Sequence, residues 1–222
     1  MEMTHLEQFK KDSYLALEKV IPIDLCRIAT KYALMKEETE FTPEDPNAQV
    51  PGAHSVYGDT FMETMMSFLL PHMEKYTGLE LAPTYTYYRV YRPGVDLARH
   101  KDRESCEIST TICLGYKYLH NDPNYSWGMY VDKDSVGLNP PRGFVSAGNP
   151  GKMVAQQPGD LIIYRGCEVE HWRDKFDANY GSYQVQAFFH YIDKNGPYYP
   201  KFKFDGRPSL GRKAETRRGI NN

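Results

Sequence analysis

Residues 84–103, TYTYYRVYRPGVDLARHKDR, combine a strand pattern with a His and an Asp that lie two positions apart. In an extended chain, residues i and i+2 point to the same side, so His100 and Asp102 can converge on one ion. An imidazole and a carboxylate are part of the 2-His-1-carboxylate arrangement, which covers one face of Fe(II) and leaves positions open for substrate and oxygen. The stretch therefore predicts a strand that leads into a metal site, provided that a second His joins it.

Further strand-like stretches follow, and clusters of Gly, Pro and Asn separate them. No comparable helix lies between them, which argues against the crossover connections of a parallel sheet. The pattern predicts a fold that is mainly β with some α: an antiparallel sandwich or jelly roll with N-terminal helices on an outer face. The predicted strands lie within SCEISTTICLGYKYL (105–119), SWGMYVD (126–132), GKMVAQQ (151–157), DLIIYRG (160–166) and YQVQAFFHYID (183–193).

Two helices are predicted before the strands. In PIDLCRIATKYALMKEE (22–38), apolar residues recur at helical spacing and Asp24 is the expected N-cap. TFMETMMSFLLPHMEKYTG (60–78) is expected to open with a capping box formed by Thr60 and Glu63 and to end before its final Gly. Pro71 is expected to kink or interrupt this second helix.

A chain of 222 residues fits one domain, taken as 1–222. Within it, 1–80 is interpreted as helical support, 83–195 as the jelly-roll catalytic core and 196–222 as a C-terminal extension. Several basic residues near the C-terminus predict a solvated tail or a partner-docking arm: Arg207, Arg212, Lys213, Arg217 and Arg218.

Composition narrows the class of protein. The formal net charge of -2 gives no general attraction to nucleic acid or to an anionic membrane, and neither is expected as a partner. No apolar run approaches the ~18 residues of a membrane span, and the N-terminus lacks a signal-peptide pattern. The four Cys residues are scattered without a Cys-x-x-Cys pair, which favours reduced thiols and a cytoplasmic location.

The second His is expected from the stretch that ends in CEVEHW. A turn at Pro158–Asp160 and an apolar strand at Leu161–Tyr164 precede His171, an order that returns this His to the mouth of the barrel. His190 alternates with Phe188 on the last strand, so it is either a cavity residue or a core histidine. The remaining histidines are interpreted as solvated or locally bonded: His5, His54, His72 and His120.

In this combination the chain resembles the Fe(II)- and 2-oxoglutarate-dependent dioxygenases, specifically their prolyl-4-hydroxylase-like branch. YRVYRPGVDLARHKD (88–102) is similar to that branch's Tyr-Pro-Gly strand before His-x-Asp, and PGDLIIYRGCEVEHW (158–172) is similar to the approach to its distal His. The resemblance implies a double-stranded β-helix with His100, Asp102 and His171 as ligands of Fe(II). It also implies 2-oxoglutarate and O2 as co-substrates, with ascorbate as a possible reductant.

The resemblance also implies a binding site for the distal carboxylate of 2-oxoglutarate, which needs a cationic partner in a dry pocket. The branch usually supplies Lys or Arg from the final strand, but here that position falls near Gln184 or Tyr183. Arg173, which shares a face with His171, and Lys117 are the expected substitutes. By resemblance Tyr91 bonds the co-substrate, and two further residues are expected to line the pocket: Tyr88 and Thr110.

The implied activity is hydroxylation of an unactivated C–H bond, in a prolyl or other peptidyl residue or in a small molecule such as a free amino acid. Retention of Asp102 favours hydroxylation over halogenation. Residues 120–137 are interpreted as a lid over the cleft or as a hairpin with a packed Trp127. Two alternatives stay open: a cupin-like metalloprotein, which is an isomerase or a dioxygenase that needs no keto acid, and a non-enzymatic jelly-roll binding module.

Overall fold

Two antiparallel sheets face each other in the computed structural model, which describes residues 3–40, 48–137 and 149–212. The large sheet has the strand order β1-β8-β5-β10-β3-β2, and the small sheet has the order β4-β9-β6-β7. The strands are β1 Tyr14–Leu17, β2 His54–Tyr57, β3 Leu81–Tyr91, β4 Leu97–His100, β5 Ile108–Lys117, β6 Met129–Asp132, β7 Lys152–Val154, β8 Leu161–Tyr164, β9 Glu170–Arg173 and β10 Tyr183–Asp193. The helices are α1 His5–Asp12, α2 Ile23–Thr39 and α3 Thr60–Thr77.

This arrangement confirms the predicted jelly roll with helices on one outer face. α2 packs against β5 and β3, and α3 packs against β3 and β10, so both cover the large sheet. The main apolar core lies in this layer, where buried Met62, Met66 and Leu69 of α3 meet strand residues such as Val90 and Phe189. The opposite face of the large sheet is left to form the interior of the sandwich.

The N-terminal third is not wholly helical, because it also supplies the two edge strands of the large sheet. β1 pairs with β8, and β2 pairs with β3, both antiparallel. Each strand has only four residues and gains its hydrogen bonds from a partner far along the chain, so local periodicity carries little sign of it.

Both helix starts differ from the prediction. α2 begins after Pro22 with no side-chain cap, and Asp24 lies inside its first turn. Asp59 caps α3 by accepting a hydrogen bond from the Met62 N–H at 3.1 Å, one residue before the expected cap. Pro71 does not interrupt α3, since the helix runs on to Thr77.

Glu63 does not take part in a capping box, because its carboxylate forms an ion pair with Arg207 of the C-terminal extension. Arg207 Nη2 lies 2.5 Å from Glu63 Oε1, and the same nitrogen donates to the Thr84 carbonyl at 3.1 Å. Arg207 is therefore a buried structural residue and not part of a solvated tail. Residues 213–222, which include the other predicted basic residues Lys213, Arg217 and Arg218, lie outside the described residues.

All four cysteines are free thiols, and Cys26, Cys106 and Cys113 are buried. Across the described ranges, no helix combines the length and the apolar composition that a membrane crossing requires.

Candidate metal centre and its cavity

The two sheets bring His100, Asp102 and His171 together. His100 ends β4 and is paired in register with His171 of β9, so that their ring centroids are 4.3 Å apart. Asp102 Oδ1 lies 3.4 Å from His100 Nε2 and 3.6 Å from His171 Nε2. Two ligands at right angles on an ion, each about 2.1 Å from it, are about 3 Å apart, so a small contraction would fit these atoms around one metal.

Backbone carbonyls fix the direction of both imidazoles. His100 Nδ1 lies 2.7 Å from the Ala98 carbonyl, and His171 Nδ1 lies 3.0 Å from the Val169 carbonyl. Nδ1 of each ring is thus engaged by a carbonyl, and Nε2 of each ring is directed toward Asp102. The two histidines and the carboxylate form a mixed nitrogen and oxygen donor set of the kind that suits Fe(II).

The electrostatics of the cluster keep the carboxylate ionised. Burial alone would raise the pKa of Asp102, but the charges and hydrogen bonds of His171 and His100 lower it well below its usual range. Burial alone would lower the pKa of His171, but Asp102 and the Val169 carbonyl raise it. Asp102 is thus in the deprotonated form that a metal ligand requires.

A second group of possible ligands shares Asp102 and adds Cys106 and His190. It is chemically less suited to a metal, since burial raises the pKa of the Cys106 thiol and its sulfur bonds the Tyr85 hydroxyl at 3.1 Å. His190 Nδ1 lies 2.8 Å from Ser109 Oγ, and burial lowers its pKa to about 4. His190 lines the cavity, which decides between the two roles expected from the sequence.

The triad opens onto a cavity of about 380 Å³ between the sheets. This volume fits a small organic ligand. Its wall contains more aromatic and cationic side chains than acidic ones: Tyr57, Tyr85, Tyr87, Tyr164, Phe188, Arg89 and Arg103 against Asp102.

Strand alternation decides which residues of β3 and β5 face this cavity. Tyr85, Tyr87 and Arg89 lie on its wall, whereas Tyr88 belongs to the core under the helices. Thr110 is in register with Phe189, which also lies in that core. The expectation that Tyr88 and Thr110 line the pocket is therefore wrong by one residue, because neighbouring residues of a strand point to opposite faces.

Deeper in the sandwich, Arg173 follows His171 on the same face of β9. It is 1% exposed, donates from Nη1 to the Trp127 carbonyl at 3.0 Å, and lies over the Trp127 ring at 5.0 Å. Its Nε has no hydrogen-bond partner, and no carboxylate of the described residues forms an ion pair with it. Burial lowers its pKa. A desolvated guanidinium without an anion is costly, so this arrangement favours an anionic ligand.

No protein-family model matches the chain, and no curated protein matches it in sequence. Solved structures do match. The non-heme alpha ketoglutarate dependent epimerase SnoN from nogalamycin biosynthesis superposes with a TM-score of 0.66 at 14% identity, over 93% of this chain and 89% of that one. A Pseudomonas putida prolyl-4-hydroxylase gives 0.58 at 15% identity, over 83% and 96%. HygX from Streptomyces hygroscopicus, with nickel and 2-oxoglutarate bound, gives 0.60 at 13% identity, over 87% and 89%.

The chain has the fold of the 2-oxoglutarate- and Fe(II)-dependent oxygenases. This confirms the double-stranded β-helix that the resemblance implied.

Of the residues expected to bind the co-substrate, some are buried inside the sandwich and one is exposed at the end of a strand. Tyr91 is buried, with its ring 5.9 Å from the Arg173 guanidinium. Gln184 is also buried; it accepts a hydrogen bond from the Tyr118 hydroxyl and donates one to Gln186. Lys117 is exposed at the end of β5. Arg173, and not Lys117, is the predicted cation that lies inside the sandwich.

Sequence reasoning missed Arg89 and the contacts of the C-terminal extension. Arg89 shares strand parity with Tyr91, and that alternation places the two residues on one face of β3 without indicating which face is the interior. Asp205 gave no such signal, because its partners are distant in sequence. Arg103 donates to both of its carboxylate oxygens at 2.7 and 2.8 Å, and Tyr57 donates to it at 2.6 Å.

Asp205 predicts a pH-dependent contribution to stability. Burial would raise its pKa, but hydrogen bonds from Arg103, Ser105 and Tyr57 lower it to about 2. The stabilisation is present above the unfolded pKa near 4 and is lost as pH falls toward 2. We expect Asp205→Asn to cost about 1–2 kcal/mol at pH 6 and roughly half as much at pH 3, where the folded-state carboxylate is still largely ionised. Urea unfolding at both pH values measures this, and an equal cost at the two would contradict it.

Proposed function

We propose that the protein is an Fe(II)- and 2-oxoglutarate-dependent oxygenase that hydroxylates an unactivated C–H bond. One substrate R–H, one 2-oxoglutarate and one O2 give R–OH, succinate and carbon dioxide. The convergence of His100 Nε2, His171 Nε2 and Asp102 Oδ1 on one point of the cavity carries this proposal.

When bound by these three residues, Fe(II) would activate O2 with electrons from the keto acid. The chain's own contribution is to prepare the ligands. The Ala98 and Val169 carbonyls engage Nδ1 of both rings and so leave Nε2 as the atom that would bind the metal, and the two imidazoles keep Asp102 ionised. Asp102 also favours hydroxylation, because it fills the position that a halide would need.

Arg173 is the residue we assign to the distal carboxylate of 2-oxoglutarate. The assignment is supported by its complete burial, its unpartnered Nε and its place two residues after His171. Tyr91 and Gln184 lie in the same part of the interior and would contact the co-substrate beside it. Lys117 is left out of the site, because an exposed ammonium does not compensate a carboxylate in a dry pocket.

Similarity to solved structures does not identify the primary substrate. A prolyl or other peptidyl residue is one candidate, since one matching structure is a prolyl-4-hydroxylase, but others are an epimerase and a carbocyclase. Proteins with this fold therefore act on several classes of substrate. The residues that line the cavity, and not the fold, have to indicate the substrate of this protein.

We predict that Arg173→Gln raises KM for 2-oxoglutarate by roughly 10- to 100-fold, the effect of losing one charge-assisted contact to a carboxylate. Steady-state succinate formation measures it. Lys117→Gln is the matched control and is expected to change KM less than about twofold, as is usual for an exposed charge. Equal effects of the two substitutions would contradict the assignment of Arg173.

The class itself is tested by succinate formation from 2-oxoglutarate with purified protein, Fe(II) and ascorbate as reductant. Turnover that requires His100 supports the oxygenase. If no turnover occurs, anaerobic titration of the Fe(II) protein with 2-oxoglutarate decides the question. Binding would indicate an enzyme that turns over only with its substrate, and the absence of binding would favour a cupin-like metalloprotein or a binding module.

A further inference from the structure

We infer that Arg89 binds a carboxylate of the primary substrate, which makes the substrate a small carboxylic acid such as a free amino acid. This inference rests on the proposed function and adds the substrate class to it. Arg89 lies on β3, on the wall of the cavity that contains the triad.

Arg89 has the features of an anion receptor without its anion. It is 6% exposed, and its Nε has no hydrogen-bond partner. No carboxylate of residues 3–40, 48–137 or 149–212 forms an ion pair with it. Its guanidinium lies over the rings of Tyr87 at 4.9 Å and Phe188 at 5.6 Å, which hold it in one orientation. The energetic cost of such burial is offset when a carboxylate binds.

The other charges on the cavity wall already have partners. Arg103 is paired with Asp205, and Asp102 faces the two histidines of the triad. Arg89 therefore contributes an uncompensated positive charge to the cavity. The aromatic residues around it would accommodate the carbon skeleton of a ligand whose carboxylate it binds.

The side-chain amide of Gln49 lies between Arg89 and His100, so its two contacts limit the distance between Arg89 and the candidate metal centre. Arg89 Nη2 donates to Gln49 Oε1 at 2.6 Å, and Gln49 Nε2 lies 2.8 Å from His100 Nε2. With ordinary amide dimensions, Arg89 Nη2 is within about 8 Å of His100 Nε2. In a ligand whose carboxylate is bound by Arg89, carbon atoms only a few bonds from that carboxylate would thus lie beside the triad. This spacing suits a small molecule.

Gln49 would compete only weakly with a carboxylate ligand for Arg89. Its side chain is exposed, and its Oε1 makes the same contact with Arg89 that a carboxylate oxygen would make with an added charge. Gln49 Nε2 faces the same His100 nitrogen that a metal would use, so metal binding requires Gln49 Nε2 to move. Both groups that Gln49 contacts are then available to ligands.

The test uses the full-length protein with Fe(II) and 2-oxoglutarate. Under anaerobic conditions, individual free L-amino acids, their carboxamides and capped tripeptides are added. Binding is followed through the charge-transfer absorption of the Fe(II)–keto acid complex. Succinate formation in air is measured in parallel. We expect at least one free acid to bind and to stimulate turnover, with its carboxamide roughly 10- to 100-fold weaker.

Arg89→Gln should weaken binding of that acid by a similar factor, while KM for 2-oxoglutarate should change less than about twofold. The control is Arg27→Gln, a substitution on the exposed face of α2. The comparison of acid with carboxamide uses the wild-type protein, so it holds even if the variant does not fold.

The inference is overturned if no free acid binds, or if capped tripeptides bind and free acids do not. It is also overturned if Arg89→Gln raises KM for 2-oxoglutarate tenfold, which would assign Arg89 to the co-substrate and leave the proposed function standing. Failure of the wild-type protein to bind 2-oxoglutarate at all would overturn both.

Discussion

Replacing His100 by Ala is expected to abolish stoichiometric iron binding and to reduce succinate formation by roughly 10³-fold or more, while the protein stays folded. Substitutions that only disturb a ligand's hydrogen bonds typically cost 10–100-fold, and here one of three ligands is removed. The fold should survive, because the His100 side chain lies on the cavity wall, outside the apolar clusters that form the core. The same loss of iron and turnover is expected for His171→Ala.

Metal content after reconstitution, turnover and thermal unfolding of the metal-free proteins separate these effects. His72→Ala is the matched control, because His72 is exposed on α3. Full iron binding by both triad variants would contradict the assigned ligands. A collapse of Tm without metal in both variants would show that the triad is also a structural element.

Arg207→Gln is expected to destabilise the protein by about 3–5 kcal/mol, the usual cost of leaving one partner of a buried ion pair alone. Both side chains are almost fully buried, at 1% exposure for Arg207 and 2% for Glu63. The loss also removes the hydrogen bond to the Thr84 carbonyl of β3, so the C-terminal extension loses one of its attachments to the large sheet.

Urea unfolding measures this effect. The double variant Glu63→Gln with Arg207→Gln should recover part of the loss, because no buried charge then remains unpaired. Arg212→Gln, an exposed residue of the same segment, is the control. A cost below about 1 kcal/mol for Arg207→Gln would place the pair in the class of weak surface ion pairs.

The triad could be predicted because each part of it has a local signature. His-x-Asp requires only an extended chain to place two ligands on one side, and the turn and strand before His171 are readable within a few residues. The helix starts were predicted less well. Asp59 and Thr60 are both good caps, and the choice between them depended on Glu63, whose partner Arg207 is 144 residues away.

The inner and outer faces of the large sheet were the other point at which prediction failed. A shift of one residue exchanged Arg89 for Tyr88 as a cavity residue, since strand positions alternate with a period of two. The sequence contains that alternation but does not say which face the helices cover.

By itself, the sequence determined the fold class and most of the longer strands, because these follow from local periodicity and turns, and its resemblance to the dioxygenases implied the triad. Only the tertiary structure decided that Arg173 is inside and Lys117 outside, that Arg89 faces the triad, and that the C-terminal extension is attached through Arg207. Burial and ion pairing depend on residues that are far apart in the chain, and so they are set only when the two sheets and the helices pack together.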